Sequence, residues 1–393
     1  MNFEPLKNFL DFMAQERTPS NAVVVYYKGE KVFSYHAGYS SFENKTPLSG
    51  DEFYNIYSCS KITTVVAGMQ LLEQGKYLLN DPLYTYIPEY RNMYIKDENG
   101  ELTKAKNPIT IGDLFSMTAG LTYNLDTPAF KKAMELTNGK MDTVTVAKCI
   151  AEDPISFEPG THWQYSLCHD VLAALVEVVS GKKFRDYVKE NIFDPLDMNK
   201  TVYHTTPEII EKTAEQYRFV SSNEDELMDL VKAQSHGNST EGIFKNVGKS
   251  ISHIFGEEYD SGGAGITTTV ADYAKLMAAL ANFGVGLTGE KILSKYSINL
   301  MRHNRLNEQA LKDVTWKHLL GYGYGLGVRT HMRPDISGCI SNIGEFGWGG
   351  AAGATAIVDP DINLGVFYVQ HCLNPREEYY QPRLKNTVYA CLR

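Results

Sequence analysis

A serine and a lysine three residues apart, Ser58 and Lys61, could carry out nucleophilic chemistry together. Residues at this spacing lie on the same face of a helix, so the hydroxyl and the amine would point into the same space. A serine hydroxyl is a weak nucleophile until a neighbouring base activates it. The pair alone is weak evidence, because a chain of this length contains roughly one Ser-x-x-Lys by chance. A second one, Ser180 to Lys183, is interpreted as a helix end and an exposed basic turn.

The segment that follows Ser58 predicts the helix that would position it. Apolar side chains recur there at helical spacing, and Gly75 is a typical helix stop. Ser58 would therefore lie at the N-terminal end of a buried helix, beside free backbone N–H groups and the positive end of the helix dipole. The apolar positions are Ile62, Val65, Val66, Met69 and Leu72.

The charge pattern excludes several classes of function. The 393 residues include 38 basic and 47 acidic side chains, a net charge of −9, and the charges are mixed along the chain. The sequence has no basic tail or patch of the kind that binds nucleic acid. It also has no stretch of 18 apolar residues that could span a membrane. We therefore expect a protein that binds neither nucleic acid nor membrane.

The N-terminus and the cysteines indicate a compartment. The first residues have neither the basic region nor the long apolar region of a signal peptide. Six cysteines are scattered along the chain without CxxC spacing. Such cysteines are typical of buried thiols in a reducing environment. We therefore expect a cytoplasmic protein.

Predicted strands at both ends of the chain enclose a helical middle. A hairpin is predicted from Val23 to Tyr35. Near the other end we predict a strand over 322–328, and then a hairpin of strands 354–358 and 364–369 followed by a helix. This order predicts an α+β fold: an antiparallel sheet built from both termini and flanked by helices, with an inserted, mostly helical domain.

The same pattern predicts the domain boundaries. We expect the sheet domain to span 1–60 and 262–393 and the helical domain to span 61–261. Within the latter, segment 217–260 is polar and poorly periodic. We interpret this segment as a lid over a cleft, since long irregular segments in compact domains are often functional, or equally as a disordered surface insertion.

Other catalytic motifs are missing from the sequence. It contains no HExxH, no P-loop and no Cys/His cluster with zinc spacing, so we expect no metal. The glycine-rich segments do not follow GxGxxG within a strand–turn–helix unit, so we expect no dinucleotide cofactor. Ser58 also lacks the Gly-x-Ser-x-Gly elbow of many Ser-His-Asp hydrolases.

Several further segments form a pattern together with Ser58 and Lys61. They are Phe53-Tyr54-Asn55-Ile56-Tyr57-Ser58-Cys59-Ser60-Lys61, Leu72-Glu73-Gln74-Gly75-Lys76, Asn80-Asp81-Pro82, Phe157-Glu158-Pro159-Gly160-Thr161 with Tyr165-Ser166, Asp194-Pro195-Leu196-Asp197-Met198, Ser261-Gly262-Gly263-Ala264-Gly265 and Gly347-Trp348-Gly349-Gly350. In combination they resemble the serine β-lactamase and penicillin-binding-protein superfamily, in its class C β-lactamase-related branch. The resemblance covers nearly the whole chain.

The resemblance implies a serine hydrolase with a β-lactamase/transpeptidase-like fold that forms an acyl-enzyme with a small-molecule substrate. Ser58 would attack an acyl carbonyl, and Lys61, desolvated beside it, would share the proton. Tyr165 would take the serine proton, protonate the leaving group and activate water. The backbone N–H groups of Ser58 and Ala351 would form the oxyanion hole. The alternative interpretation of Tyr165 is an ordinary core tyrosine.

Two departures from the family pattern concern the substrate. Leu167 occupies the position of a lactamase asparagine that contacts the side-chain amide of a β-lactam. Trp348-Gly349-Gly350 replaces a motif that begins with Lys or His, so the partner for a substrate carboxylate is missing. A tryptophan instead supplies an apolar wall, which resembles the family VIII carboxylesterases. We therefore predict that Trp348, Gly349, Gly350 and Leu167 contact the substrate, and that the substrate is a small ester.

Two alternatives remain open from the sequence. One is a β-lactamase or a D-amino-acid peptidase or carboxypeptidase of the same fold. The other is a catalytically silent binding protein, because a fold does not determine a function. The acyl group, the alcohol and the oligomeric state cannot be read from the sequence.

Overall fold

The computed structural model of the chain describes residues 1–97, 99–221, 242–249 and 254–392. The strands within these ranges are β1 (Ser20–Tyr27), β2 (Glu30–Ser41), β3 (Thr46–Pro47), β4 (Phe53–Asn55), β5 (Tyr94–Lys96), β6 (Leu102–Lys104), β7 (Gln216–Ser221), β8 (Gly242–Gly248), β9 (Thr267–Thr269), β10 (Tyr322–Tyr324), β11 (Arg329–His331), β12 (Phe346–Gly347), β13 (Thr355–Asp359), β14 (Leu364–Val369) and β15 (Cys372–Leu373).

The α-helices alternate with these strands and fill most of the middle of the chain. They are α1 (Glu4–Glu16), α2 (Ser60–Glu73), α3 (Ile111–Ser116), α4 (Pro128–Leu136), α5 (Thr143–Ile150), α6 (Cys168–Ser180), α7 (Phe184–Val188), α8 (Pro207–Lys212), α9 (Val270–Ala281), α10 (Lys295–Met301), α11 (Glu308–Leu311), α12 (Pro334–Ser337) and α13 (Glu377–Cys391). Short 3₁₀ turns connect some of them, including one at Tyr57–Cys59.

An eight-stranded sheet organises the fold, in the order β10-β11-β12-β13-β14-β1-β2-β3. Two of its inner strands join the two ends of the chain, because β1 runs antiparallel to β14 from Ala22 opposite Val369 to Tyr27 opposite Leu364. The predicted α+β fold, with an antiparallel sheet built from both termini and flanked by helices, is confirmed.

Strand β1 shows why both faces of the sheet are covered. Successive side chains of a strand point to opposite faces. Val23 and Val25 belong to the apolar cluster under α1 and α13. Val24 belongs to the larger cluster that includes α2 and α9. A strand that is apolar at consecutive positions therefore lies between two helical layers.

The predicted helix after Ser58 forms as α2, and its first twelve residues are buried. It packs against α6, which is also buried along most of its length. The β-pairing of β4 with β9 holds the start of α2 beside residues 261–266. The division of the chain into domains at 60/61 and 261/262 stays a prediction.

Two predicted features differ from the structure or lie partly beyond it. The strand expected over 322–328 ends at Tyr324, because Gly327 has φ +70° and packs so closely on Val65 that a Cβ would lie 2.1 Å from that side chain. Of the segment interpreted as a lid, 222–241 and 250–253 lie outside the described residues. Its described parts include β7 and β8, which pair with each other and with β15.

A search of the described residues for membrane-spanning helices gives a negative result. No helix among them is both long enough and apolar enough to cross a bilayer.

The close approach of α9 to the sheet generates a stability prediction. A Cβ at Gly365 would lie 2.6 Å from a backbone carbon of Met277 in α9. We therefore expect Gly365→Ala to lower the free energy of unfolding by about 1–3 kcal/mol, since helix and strand must separate to admit the methyl group. The exposed Lys31→Ala should change it by less than about 0.5 kcal/mol. Denaturant titration of both variants measures this, and equal midpoints would contradict the packing argument.

Candidate active site

Ser58 lies in the short turn between β4 and α2. The residue before it, Tyr57, has φ +45°, a left-handed conformation that is uncommon for a bulky side chain. The Tyr57 hydroxyl donates a hydrogen bond of 2.9 Å to Gln216 Oε1, and its side chain is buried. Strained backbone of this kind is often found at functional sites. Here it brings Ser58 to the surface of a cavity just before the helix begins.

Lys61, the second residue of α2, is completely buried. Its Nζ donates to the carbonyl oxygen of Gly263 at 2.8 Å and to Ser58 Oγ at 3.3 Å. The same atom lies 4.6 Å from the ring centre of Tyr165 and 5.5 Å from that of Tyr123. These contacts hold the amine beside the serine hydroxyl and away from solvent.

Tyr165 completes the contacts of the serine. Its hydroxyl donates to Ser58 Oγ at 2.5 Å. It lies just before α6, where backbone hydrogen bonds from Gln164 to Met117 and from Leu167 to Thr122 hold the chain. The structure therefore places the predicted base directly on the predicted nucleophile.

Trp348 forms a wall of the cavity beside this pair. Its ring stacks on Tyr165 with centres 5.6 Å apart, and its Nε1 lies 3.4 Å from the Tyr165 hydroxyl oxygen as a long donor. Trp316 packs against both rings, at 5.3 Å from Tyr165 and 6.0 Å from Trp348. The wall is therefore aromatic, and the indole of Trp348 lies beside Tyr165, at the position where lactamases have a cation.

The segment after Trp348 passes directly over the nucleophile turn. Gly350 is so close to Ile56 that a Cβ would lie 2.2 Å from the Ile56 carbonyl oxygen. Next in the chain, Ala351 packs near Tyr57 and lines the same cavity as Ser58. Within the described part of the chain, no protein acceptor takes the backbone N–H of Ser58 or of Ala351. This arrangement suits an oxyanion hole made of two backbone N–H groups.

The other predicted substrate contacts divide into two groups. Gly349 and Gly350 line the cavity together with Trp348. Leu167 does not: its side chain is 3% exposed and packs in the main apolar core at the start of α6. Leu167 is therefore not among the residues that line the cavity, and its contact with the substrate stays a prediction.

Part of the cavity lining is polar, and no motif in the sequence indicated this. Four polar side chains form this part of the lining, which we call the polar end: His318, Arg329, Glu377 and Gln381. Arg329 is bound to the buried Glu345 carboxylate at 2.7 Å, so its charge is already compensated.

Burial decides the protonation of two of these groups. It raises the pKa of the Glu377 carboxyl to about 8, so this carboxyl is protonated at neutral pH. It lowers the pKa of His318 to about 3, and the nearby Lys385 and Arg329 charges lower it further. Both groups are therefore neutral near pH 7.

A buried carboxylate that sequence reasoning missed lies behind Lys61. Asp170 Oδ1 accepts hydrogen bonds from the Tyr259 hydroxyl at 2.9 Å, Ser261 Oγ at 2.8 Å and the Gly263 N–H at 3.2 Å. It thereby holds Gly263, the residue whose carbonyl accepts from Lys61. The Ser261-Gly262-Gly263 motif was the available signal, since it marks the partner segment of this acid.

The described residues contain no group of three or more His, Cys, Asp or Glu side chains that could hold a metal ion. The contacts of Ser58 with Tyr165 and Lys61 place a serine hydroxyl between a phenol and an amine.

Comparison with known proteins gives a consistent result. A family model described as beta-lactamase matches residues 7–388. The chain is 25% identical to esterase EstB of Burkholderia gladioli over 90% of this chain and 86% of that protein. It is 23% identical to a putative D-alanyl-D-alanine carboxypeptidase of Escherichia coli, over 86% and 73% of the two chains. The structure also resembles that of EstCE1, a hydrolase with promiscuous acyltransferase activity, with a TM-score of 0.76, 21% identity and 98% of each chain covered.

The contact between Gly350 and Ile56 predicts different sensitivities at two neighbouring glycines. In Gly350→Ala the added methyl group must push the segment after Trp348 away from the nucleophile turn. A displacement of about 1 Å can cost about a hundredfold in rate. We expect at least that loss in kcat/KM. A Cβ at Gly349 would first meet Gln381 Nε2, the end of a side chain that can move, at 3.0 Å. We expect Gly349→Ala to lose less than about tenfold. Equal losses in the two variants, at matched Tm, would contradict this geometry.

Proposed function

Since the chain belongs to the beta-lactamase family and is a serine hydrolase, we propose that it forms an acyl-enzyme at Ser58 and cleaves small esters. The observation that carries the proposal is the position of Ser58 Oγ, 2.5 Å from the Tyr165 hydroxyl and 3.3 Å from Lys61 Nζ. A serine in contact with a potential base, which in turn lies near a buried amine, has the arrangement of an activated nucleophile.

The geometry supports a two-step reaction. In the first step the phenolate form of Tyr165, whose own proton has been released to solvent, takes the Ser58 proton while Oγ bonds to the acyl carbon, and the N–H groups of Ser58 and Ala351 stabilise the oxyanion. The ester C–O bond then breaks, and the departing alcohol takes the proton from Tyr165. In the second step water attacks the acyl-enzyme along the same route, and the proton returns to Ser58. Lys61, whose Nζ lies 4.6 Å from the Tyr165 ring centre, stabilises the phenolate that is present before each proton is taken up and again after it is passed on.

The walls of the cavity support an ester over a β-lactam. A β-lactam brings a carboxylate that needs a cation, and burying it without a partner costs a few kcal/mol. The cavity offers the indole of Trp348 instead, and its one lining guanidinium among the described residues, Arg329, is already paired with Glu345. The similarity to EstB, named as an esterase, supports the same choice.

Two other functions compete with this proposal. The relative named as a putative D-alanyl-D-alanine carboxypeptidase keeps the peptidase alternative open, together with the β-lactamase of the same fold. A catalytically silent binding protein would not need Ser58, Lys61 and Tyr165 in contact, which is the arrangement observed.

We also propose that the protein acts in the cytoplasm on a small-molecule acyl substrate. All six cysteines carry free, buried thiols, which is typical of a reducing compartment.

The first prediction under this proposal concerns the nucleophile. Ser58→Ala should remove nearly all hydrolysis of p-nitrophenyl butyrate. Lys61→Ala and Tyr165→Phe should each lower kcat by several powers of ten, with a double variant far from additive because the groups act as a unit. The matched control is Ser180→Ala in the second Ser-x-x-Lys pair, which should keep the wild-type rate. A fluorophosphonate probe should label the wild type but not Ser58→Ala, and full labelling of that variant would assign the nucleophile elsewhere.

The second prediction concerns substrate choice. We expect kcat/KM for the best short-chain ester to exceed that for nitrocefin by at least roughly a hundredfold, a difference of about 2.7 kcal/mol. The reason is the missing cation beside Trp348. Parallel assays with p-nitrophenyl esters, nitrocefin and D-Ala peptides measure it. Nitrocefin turnover at the rate of the best ester would identify a β-lactamase instead.

A further inference from the structure

The polar end of the cavity contains polar atoms that the protein itself leaves without partners. Glu377 Oε2, His318 Nδ1 and Arg329 Nε are buried and have no hydrogen-bond partner among the described residues. Glu377 is 5% exposed and Arg329 is 1% exposed. Leaving a buried polar group unpaired destabilises the folded protein. Three such atoms around one cavity indicate that something else binds there during function.

The polar end lies close to the reacting centre. Gln381 Nε2 would be 3.0 Å from a Cβ at Gly349, and Gly349 directly precedes the segment that passes over the nucleophile turn. Glu377 and Gln381 are one helical turn apart on α13, so their side chains lie on the same face of the helix. A substrate whose carbonyl lies at Ser58 could therefore extend one short arm towards these two side chains.

We propose that the polar end is a subsite for a hydroxyl group of the ester, bound by Glu377 and Gln381. This inference rests on the proposed esterase function and names the substrate class of the same site. A hydroxyl both donates and accepts a hydrogen bond, and both a protonated carboxyl and an amide can do the same. The substrate hydroxyl thus supplies the hydrogen-bond partner that Glu377 Oε2 lacks among the described residues.

Charged groups fit this subsite less well. A carboxylate would meet the Glu377 carboxyl, and the nearby Arg329 already binds Glu345 at 2.7 Å and the Ala356 carbonyl at 3.1 Å. An ammonium would face the charge of Arg329, with the buried Lys385 behind it. A neutral hydroxyl avoids both conflicts.

The hydroxyl can belong to the acyl part or to the alcohol part, and matched esters distinguish the two. The acyl pair is ethyl butanoate and ethyl 3-hydroxybutanoate. The alcohol pair is propyl butanoate and 3-hydroxypropyl butanoate. Ethyl hydrogen succinate tests a carboxylate in the same position. Acid release at pH 7 gives kcat/KM for each ester, and the ratio within each pair is the quantity of interest.

We expect the hydroxylated ester of at least one pair to be preferred by tenfold or more in the wild type. Glu377→Leu and Gln381→Leu should each reduce that ratio below about threefold, because the hydroxyl loses a partner. Glu377→Gln, which keeps the shape and can still donate and accept, should retain most of the preference. Arg383→Leu, on the exposed side of α13, should keep the wild-type ratio. The Tm of each variant checks folding, and if Glu377→Leu does not fold, Gln381→Leu decides.

Three results would overturn the inference. They are ratios near one in both pairs, a preference that survives Glu377→Leu and Gln381→Leu, and faster turnover of ethyl hydrogen succinate than of the neutral esters. Ratios near one would mean that water alone satisfies the polar end. Turnover of the plain esters that depends on Ser58 but shows no preference would refute only the subsite. Absence of any Ser58-dependent ester turnover would refute the proposed function itself.

Discussion

The buried amine of Lys61 is the constraint on which the site depends. A charge removed from water is costly unless nearby groups replace its hydration. Here the replacements are the Gly263 carbonyl, the Ser58 hydroxyl and the faces of Tyr165 and Tyr123. Apart from Ser58, they come from chain segments remote from α2, so the amine is satisfied only when those segments have packed together. The contacts of Lys61 with Ser58, Gly263 and Tyr165 therefore form only when the fold is complete.

Close backbone approach is the second requirement, and glycines meet it where the helical region and the sheet come together. A Cβ at Gly262 would lie 2.3 Å from the His169 carbonyl oxygen, and one at Gly263 would lie 2.5 Å from Asp170 Oδ2. Gly350 makes the equivalent approach to Ile56 on the sheet side. The glycine-rich motifs of the sequence are thus places where one backbone segment packs closely against another part of the chain.

Much of this structure could be predicted from the sequence, and the parts that could not have a common cause. Local periodicity was enough for β1, α2 and the β13–β14 hairpin, and the motifs were enough for the family, which the comparisons confirm. The strand expected over 322–328 failed because Gly327 turns the chain for a tertiary contact with Val65. The roles of Ser58, Lys61, Tyr165 and Ala351 remain predictions, although the structure brings these residues together.

The polar end was invisible to sequence reasoning for the same reason. Glu377 and Gln381 belong to a helix whose pattern indicates only an element packed on the sheet, and nothing near them forms a motif. What makes them notable is burial against residues about 50 positions earlier in the chain. Leu167 is the converse case, since its motif position suggested a substrate contact, whereas its side chain packs in the core.

The charges around the cavity explain how one acyl-transfer arrangement can serve different substrates. In their predicted roles Ser58, Lys61 and Tyr165 do not distinguish between acyl groups, so selection must come from the walls of the cavity. In these walls Arg329 is neutralised by Glu345, and burial keeps the pKa of Glu377 at about 8 and that of His318 at about 3, so both side chains are neutral near pH 7. Apart from Lys61, the surroundings of the serine therefore present no uncompensated charge among the described lining residues. A neutral substrate can enter such a site without leaving a charge of its own unpaired, and a substrate that carries a carboxylate cannot.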